Sequence, residues 1–373
     1  MTDPIVALGN PDNARALIVV FLRGGADGLA LVPPVDDDGY QRARPRIAIP
    51  ATGAIRLSGP FALHPCMAAL EPIYREGRLA VVHAAGSDDP TRSHFEAQDR
   101  MERAGTGIAG GWLGRWLRAD AVVTTGPRSA LASVAIGSAA PECLRGAPSV
   151  TVMRSFADLD LGADGAWLRA PLDALYAGDG MLGDAATSAL RGLDAIATMR
   201  SEAYVPAHGA EYGQDDFARG MAQIAQLVKA QVGLRAATLD YPGWDSHFFQ
   251  GPLIEPMMRS LAATLAAFTL DLGQLLDTTS VVVMSEFGRR VYENSSLGTD
   301  HGRGGALLVL GGGTPGGMHC RWPGLEGHVL EGPGDVPVVH DYRDVLAGVL
   351  SRCGSSAATA AAFPGWELAP LAV

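Results

Sequence analysis

The sequence lacks the signatures that mark several large enzyme classes. No G-x-G-x-x-G follows the first apolar run, and there is no G-x-x-x-x-G-K-[ST] and no G-x-S-x-G. These gaps disfavour a nicotinamide enzyme, a P-loop nucleotidase and a serine α/β-hydrolase. Cysteine is sparse: Cys66, Cys143, Cys320 and Cys353 are scattered, with no C-x-x-C pair and none in a C-x-P-x-R context. That excludes a zinc-ribbon pattern, a dense disulfide framework and a formylglycine nucleophile. Buried free thiols are expected, with a single bridge as the alternative. No run approaches the ~20 apolar residues of a membrane-spanning helix, and no internal repeat occurs. Positive charge is in deficit, with 29 basic against 40 acidic side chains and a net charge of −11. This argues against nucleic acid or an anionic membrane as the main partner. The start of the chain has no basic n-region, and its first apolar run is too short for a signal core. The chain as written is therefore expected in the cytoplasm, or in the periplasm if a twin-arginine leader was removed.

What is present is a large globular chain of 373 residues, 47% hydrophobic and only 18% charged. Continuous apolar runs at residues 16–22, 79–83, 132–136, 236–240, 280–284 and 306–310 read as strands covered on both faces. Between them lie helical patterns at residues 63–76, 94–103, 217–232 and 342–350. Ile254, Met258, Leu261, Leu265, Phe268, Leu272 and Leu275 form one apolar stripe spaced four and three apart, which predicts a long helix lying on a sheet. The Pro-rich, polar stretch up to Pro50 reads as irregular surface, and the tail beyond the 342–350 helix as a loose Ala-rich end. Alternating strands and helices predict one α/β domain over residues 1–373, with a mostly parallel sheet between helical layers. Residues 150–235 have no strand rhythm and read as a helical insertion or cap.

Polar groups cluster just past the strands. They are Asp27 after the first, Ser93 and His94 after the second, Asp245 and His247 after the fourth, and Glu286 after the fifth. Asp300 and His301 occupy the Gly-rich loop leading into the sixth. In a parallel sheet the strand ends share one rim, so these distant groups are expected to converge. Carboxylate and imidazole are ligands for zinc, manganese or iron, and Arg23, Arg289, Arg290 and Arg303 could hold an anion. Ser93 with Glu96 also fits an S-x-x-E capping box. Ser93 therefore reads both as a helix cap and as an exposed hydroxyl in the positive field of a helix start.

With those residues in hand, the chain resembles a bacterial family known as domain of unknown function 1501. The matching strings are Arg23-Gly24-Gly25-Ala26-Asp27-Gly28-Leu29, Leu63-His64-Pro65, Ser93-His94-Phe95, Trp244-Asp245-Ser246-His247, Ser285-Glu286-Phe287-Gly288-Arg289, Gly298-Thr299-Asp300-His301-Gly302 and His340-Asp341-Tyr342-Arg343. That family looks like a branch of the alkaline phosphatase and sulfatase superfamily, which implies an α/β/α sandwich. It also implies one or two divalent metal ions: zinc, manganese or calcium, with iron not excluded. Carried over by position, Ser93 would be the nucleophile, with His94 as a general acid or orienting group. Asp27, Asp245, His247 and His301 would be metal ligands, with Glu286 and Asp300 as further candidates, and Arg23, Arg289 and Arg303 would bind substrate. The pattern departs at Glu286-Phe287, where the superfamily usually has Asp-His, a change that implies a reshaped or single metal site. The resemblance implies a metal-dependent hydrolase or transferase acting on a phosphate or sulfate ester, or a related small anionic group; the oligomeric state is open between monomer and homodimer. The alternatives are an iron or manganese enzyme using two histidines and a carboxylate, or a binding protein that lost catalysis.

Overall fold

The structure, a computed structural model, describes residues 15–105, 107–123, 129–162, 165–178, 180–201 and 203–373. The expectations about a leader rest partly on residues 1–14, which lie outside the described residues.

The apolar runs form the strands of one sheet. They are β1 (Ala16–Arg23), β2 (Leu79–Gly86), β3 (Ser133–Ile136), β4 (Thr151–Met153), β5 (Ala236–Pro242) and β6 (Thr279–Met284). A small hairpin follows, β7 (Arg289–Glu293) with β8 (Thr299–His301), then β9 (Gly305–Gly311), β10 (Gly317–His319) and β11 (His340–Asp341). The central sheet runs β10-β2-β9-β6-β1-β5-β3-β4, with β11 also pairing β2. Every neighbouring pair in it is parallel except those of β9, which is antiparallel to both β2 and β6. This exception matters for the site. The residues that precede β9 lie on the rim where the parallel strands end.

Successive residues of a strand face opposite sides, and β1 shows what this does. Ile18, Val20 and Leu22 enter one apolar layer, while Leu17, Val19 and Phe21 enter the other. Of the helices, α1 is His94–Arg103, α2 Trp112–Val123, α3 Gly165–Leu175, α4 Met181–Ser201, α5 Asp216–Lys229, α6 Gln250–Leu272, α7 Tyr342–Cys353 and α8 Ser356–Ala362. The first layer takes Phe217, Met221 and Ile224 of α5 and the stripe of α6 from Ile254 to Leu272. The second takes Trp112 and Trp116 of α2 and Val345, Leu346 and Val349 of α7. The result is an α/β/α sandwich with a mostly parallel sheet.

Four local expectations change. Residues 150–235 include β4, which pairs β3, and α5, which packs on the sheet. The alanine-rich tail forms α8, and Val373 at its end is buried. Residues 250–278 are long and apolar enough to cross a membrane by length and composition, although their apolar stripe packs against the sheet. The stretch up to Pro50, read as irregular surface, contains short helices at Gly28–Leu31 and Asp38–Ala43 and the fully buried Arg44. All four cysteines are free thiols.

Candidate metal centre

The rim where β1, β2, β5 and β6 end is drawn together by close backbone approach and by one guanidinium. Gly24, at φ +120°, lies so near the β5 exit that a Cβ there would stand 2.5 Å from the Asp245 backbone nitrogen. Gly25, at φ +65°, leaves room for the Phe287 ring, which a Cβ would meet at 2.4 Å. Arg289 is buried beneath these loops. It donates to the carbonyls of Gly25 at 2.6 Å, Gly24 at 2.5 Å and Thr299 at 2.9 Å, and to Asp245 Oδ1 at 2.7 Å. Expected as a substrate-binding residue, it is instead a positioning residue that fixes Asp245, because its donors are consumed inside the protein.

Three side chains meet above it. His247 Nε2 lies 2.9 Å from His301 Nε2 and 3.1 Å from Asp245 Oδ1, and His301 Nε2 lies 3.3 Å from the same oxygen. With metal–ligand bonds of about 2.05 Å, donors at right angles stand about 2.9 Å apart and tetrahedral ones about 3.3 Å apart. The three distances fall on those polyhedron edges. His94 extends the group, since atoms of His94, Asp245 and His301 all lie within 4.8 Å of one another.

The tautomers point the same way. His301 Nδ1 faces the Arg92 carbonyl at 2.8 Å, and His94 Nδ1 faces Glu286 Oε1 at 2.8 Å. Both Nδ1 atoms must donate to these acceptors, so in the neutral rings both Nε2 atoms carry lone pairs. Those lone pairs face the Asp245 carboxylate: His94 Nε2 is buried, has no hydrogen bond, and stands 3.5 Å from Asp245 Oδ2. Lone pairs aimed at a carboxylate repel unless a cation lies among them, either a proton on a ring or a metal ion. His247, His301 and Asp245, with His301 backed by the Arg92 carbonyl and His247 by Asp300, are a donor set that fits a divalent metal, and the His94 Nε2 lone pair stands beside it.

Charge is held where a cation needs it. Burial would raise the Asp245 carboxyl, but Arg289, His247 and His301 outweigh burial and hold it at about 2. Burial lowers the pKa of His301, with Arg289 and His94 adding to that effect, so its ring favours the neutral, ligating form. The hydrogen bond from Glu286 raises His94, against burial.

The other sequence-derived candidates land elsewhere. Glu286 was expected as a ligand, yet its side chain is fully buried and both oxygens are engaged. Oε1 accepts from Gly24 N–H at 2.9 Å and from His94 Nδ1 and Gln98 Nε2, each at 2.8 Å, while Oε2 accepts from Ser285 Oγ at 2.9 Å. It orients His94 and does not ligate. Asp27 is likewise buried and saturated, by Arg44 Nη1 at 2.6 Å, Gln250 Nε2 at 2.5 Å and the Leu29 N–H at 3.1 Å. Arg44 holds its carboxyl below the usual range against the opposing effect of burial. Asp300 stands 3.6 Å from His247 Nδ1 and accepts from Arg290 at 3.2 Å, a position behind the ligand. Arg23 is spent on Glu102 and Asp240, and Arg303 on Glu331 and the Ser87 carbonyl.

Ser93 is the exposed residue before α1, and its side chain makes no capping bond; Glu96 instead accepts from Thr91 Oγ1 at 3.0 Å. The expected capping box is therefore absent, and the hydroxyl is left uncommitted. Sequence reasoning missed Arg44, Gln98, Gln250 and the Arg92 carbonyl. None lies in a strand-end pattern, and the carbonyl belongs to no residue type at all.

The family described as "Protein of unknown function (DUF1501)" matches residues 176–354. The match spans just under half of the chain. The DUF1501 match includes Asp245, His247, Glu286 and His301 and ends before the carboxyl terminus; Ser93 and His94 lie outside it. No curated protein matches the chain. Among solved structures, the chain is similar to the PH0037 protein from Pyrococcus horikoshii at 13% identity and a TM-score of 0.27, covering 80% of this chain and 86% of that one. It is also similar to the alkaline phosphatase from the Antarctic bacterium TAB5 at 9% identity and a TM-score of 0.30, covering 82% and 95%.

Proposed function

We propose that the chain is a metal-dependent hydrolase or transferase acting on a phosphate or sulfate ester. The observation that carries this reading is the triangle of His247 Nε2, His301 Nε2 and Asp245 Oδ1, with edges of 2.9–3.3 Å. The residue before His94 is Ser93, whose hydroxyl makes no capping bond. A bound divalent metal would neutralise charge on the ester and lower the pKa of a hydroxyl or water near it.

The protein's own groups then have defined tasks. Ser93 Oγ supplies the attacking oxygen, which forms a bond to phosphorus or sulfur as the bond to the alcohol oxygen breaks. His94, with Nδ1 fixed by Glu286, takes up or returns a proton at Nε2, so that the alcohol leaves protonated. Water or a second alcohol releases the group from Ser93. The first turn of α1 presents backbone N–H groups to the anion, which is significant because Arg23, Arg289 and Arg303 are all paired within the protein.

Ser93→Ala separates nucleophile from cap. With no capping bond to lose, its stability should change by no more than about 0.5 kcal/mol. Hydrolysis should fall by about a thousandfold. Wild-type protein is assayed with 4-nitrophenyl phosphate, bis(4-nitrophenyl) phosphate and 4-nitrophenyl sulfate in zinc, manganese or calcium. Failure to turn over any of them would sink this reading. A second reading has its own observation: two histidines and one carboxylate on one face also suit iron in oxygen chemistry. Iron in protein purified without tags or chelators, with oxygen consumed in turnover, would favour it.

A further inference from the structure

A cavity of about 370 Å³ lies at the start of α6, lined by Ile49, His64, Phe249, Pro252, Met258 and Leu297 among others. Its volume is within the roughly 300–1,000 Å³ of ordinary ligand pockets. We propose that this cavity binds the uncharged, largely apolar organic part of the substrate, the alcohol portion that the metal centre releases. The word substrate rests on the hydrolase reading; the cavity as a ligand site does not.

Three observations support it. The first is continuity with the centre. Phe249 and Gln250 follow ligand His247 by two and three residues, so their Cα atoms lie within roughly 7–11 Å of it. Leu297 belongs to the loop whose Asn294 Nδ2 donates to the His247 carbonyl at 2.8 Å. Gln250, at the wall, holds Asp27 through Nε2 and accepts from Thr299 Oγ1 at 2.8 Å, next to Asp300. The cavity wall thus begins two residues along the chain from His247.

The second is strain. Phe249 and Leu297 are bulky residues at positive φ, +43° and +59°. They are held there by bonds from Phe249 N–H to the Ser296 carbonyl and from Gln250 N–H to the Leu297 carbonyl, both at 2.8 Å. A left-handed Phe and Leu facing one cavity is a costly arrangement, of the kind that gathers at ligand sites. It leaves the Phe249 ring 59% exposed at the α6 start.

The third is charge. The ionic groups at the wall are already matched: Arg46 Nε is 2.5 Å from Glu293 Oε1, and Glu255 Oε2 is 3.0 Å from Arg259. His64 Nδ1 accepts from the Cys66 N–H at 3.1 Å, so the neutral ring carries its proton on Nε2, and burial favours that neutral form. The cavity therefore offers apolar surface and one neutral donor, with no uncompensated charge for an ion.

The test uses full-length protein and the uncharged dye N-phenyl-1-naphthylamine. Wild-type protein should bind it saturably at one site. Ala48→Trp and, independently, Ile49→Trp fill the cavity and should weaken binding at least tenfold while leaving the thermal unfolding transition in place. In turnover, wild type should prefer 1-naphthyl phosphate over methyl phosphate by at least tenfold in kcat/KM. Ala48→Trp should erase that preference without changing methyl phosphate hydrolysis. No saturable dye binding, or binding untouched in both folded variants, would overturn the cavity assignment. Dye binding lost in the variants with neither ester hydrolysed by wild type would overturn the hydrolase reading and keep the cavity as an apolar-ligand site.

Discussion

His301→Ala should lose bound metal and at least about a thousandfold in ester hydrolysis, equivalent to about 4 kcal/mol of transition-state stabilisation. His247→Ala and Asp245→Ala should do the same. Each supplies one corner of a donor triangle whose edges are 2.9, 3.1 and 3.3 Å, and two corners cannot hold the third coordination direction. Asp300→Asn is the control. Asp300 lies 3.6 Å behind His247 Nδ1 and touches no other donor of the triangle, so a loss of roughly 10- to 100-fold, typical of groups that orient a ligand, is expected. Metal content by elemental analysis, read beside kcat/KM, separates the two classes. Equal losses from Asp300→Asn and His301→Ala would mean the triangle has been assigned to the wrong residues.

Glu286→Ala should destabilise the fold by roughly 3–5 kcal/mol, because removing one partner of a buried charged network strands the others. The stranded groups are the Gly24 N–H, His94 Nδ1 and Gln98 Nε2. Its pH dependence has a defined sign. Burial opposes ionisation of Glu286, but His94, Gln98 and backbone N–H groups outweigh it and hold the carboxyl at about 2, below its ordinary 4.5. Its contribution is therefore full above 4.5 and lost as pH falls towards 2. His94 is raised above its ordinary 6.5 by the same bond, so its contribution is full below 6.5 and lost as pH rises through the raised value. In metal-free protein the pair should stabilise most between about 4.5 and 6.5. Urea unfolding of wild type and Glu286→Gln from about pH 2 to about pH 8 checks it. A variant with the same acid limb as wild type would show that the network carries no such weight.

How much of this was legible beforehand follows from what a strand end reveals. That Asp245, His247 and His301 come together was readable because parallel strands end on one rim. The antiparallel β9 put Asp300 and His301 there from the other direction. The layers were readable as well, since β1 and β6 are apolar without interruption. Saturation was not readable. Asp27 and Glu286 have the same strand-end position as Asp245, yet Asp27 meets Arg44, from a stretch that looked like surface. Glu286 meets Gly24, 262 residues away in sequence. A carboxylate's availability depends on donors that arrive from remote segments, and no local pattern carries that. The arginines failed for the matching reason: each found its acid inside the protein. Ser93 shows the reverse, because its motif implied a capping bond that the folded helix does not make.

On the proposed reading, Phe287 limits the rim to one metal. Its ring lies 4.9 Å from both the His94 and His301 rings and is almost entirely buried. A hydrocarbon ring stands where the resemblance implied a further histidine ligand, and Glu286 beside it is saturated. The direct test is titration of metal-stripped wild-type protein with zinc or manganese, followed by elemental analysis after desalting. This account predicts one equivalent per chain, retained by wild type and absent from His301→Ala. Two equivalents per chain, or one equivalent still held by His301→Ala, would contradict it.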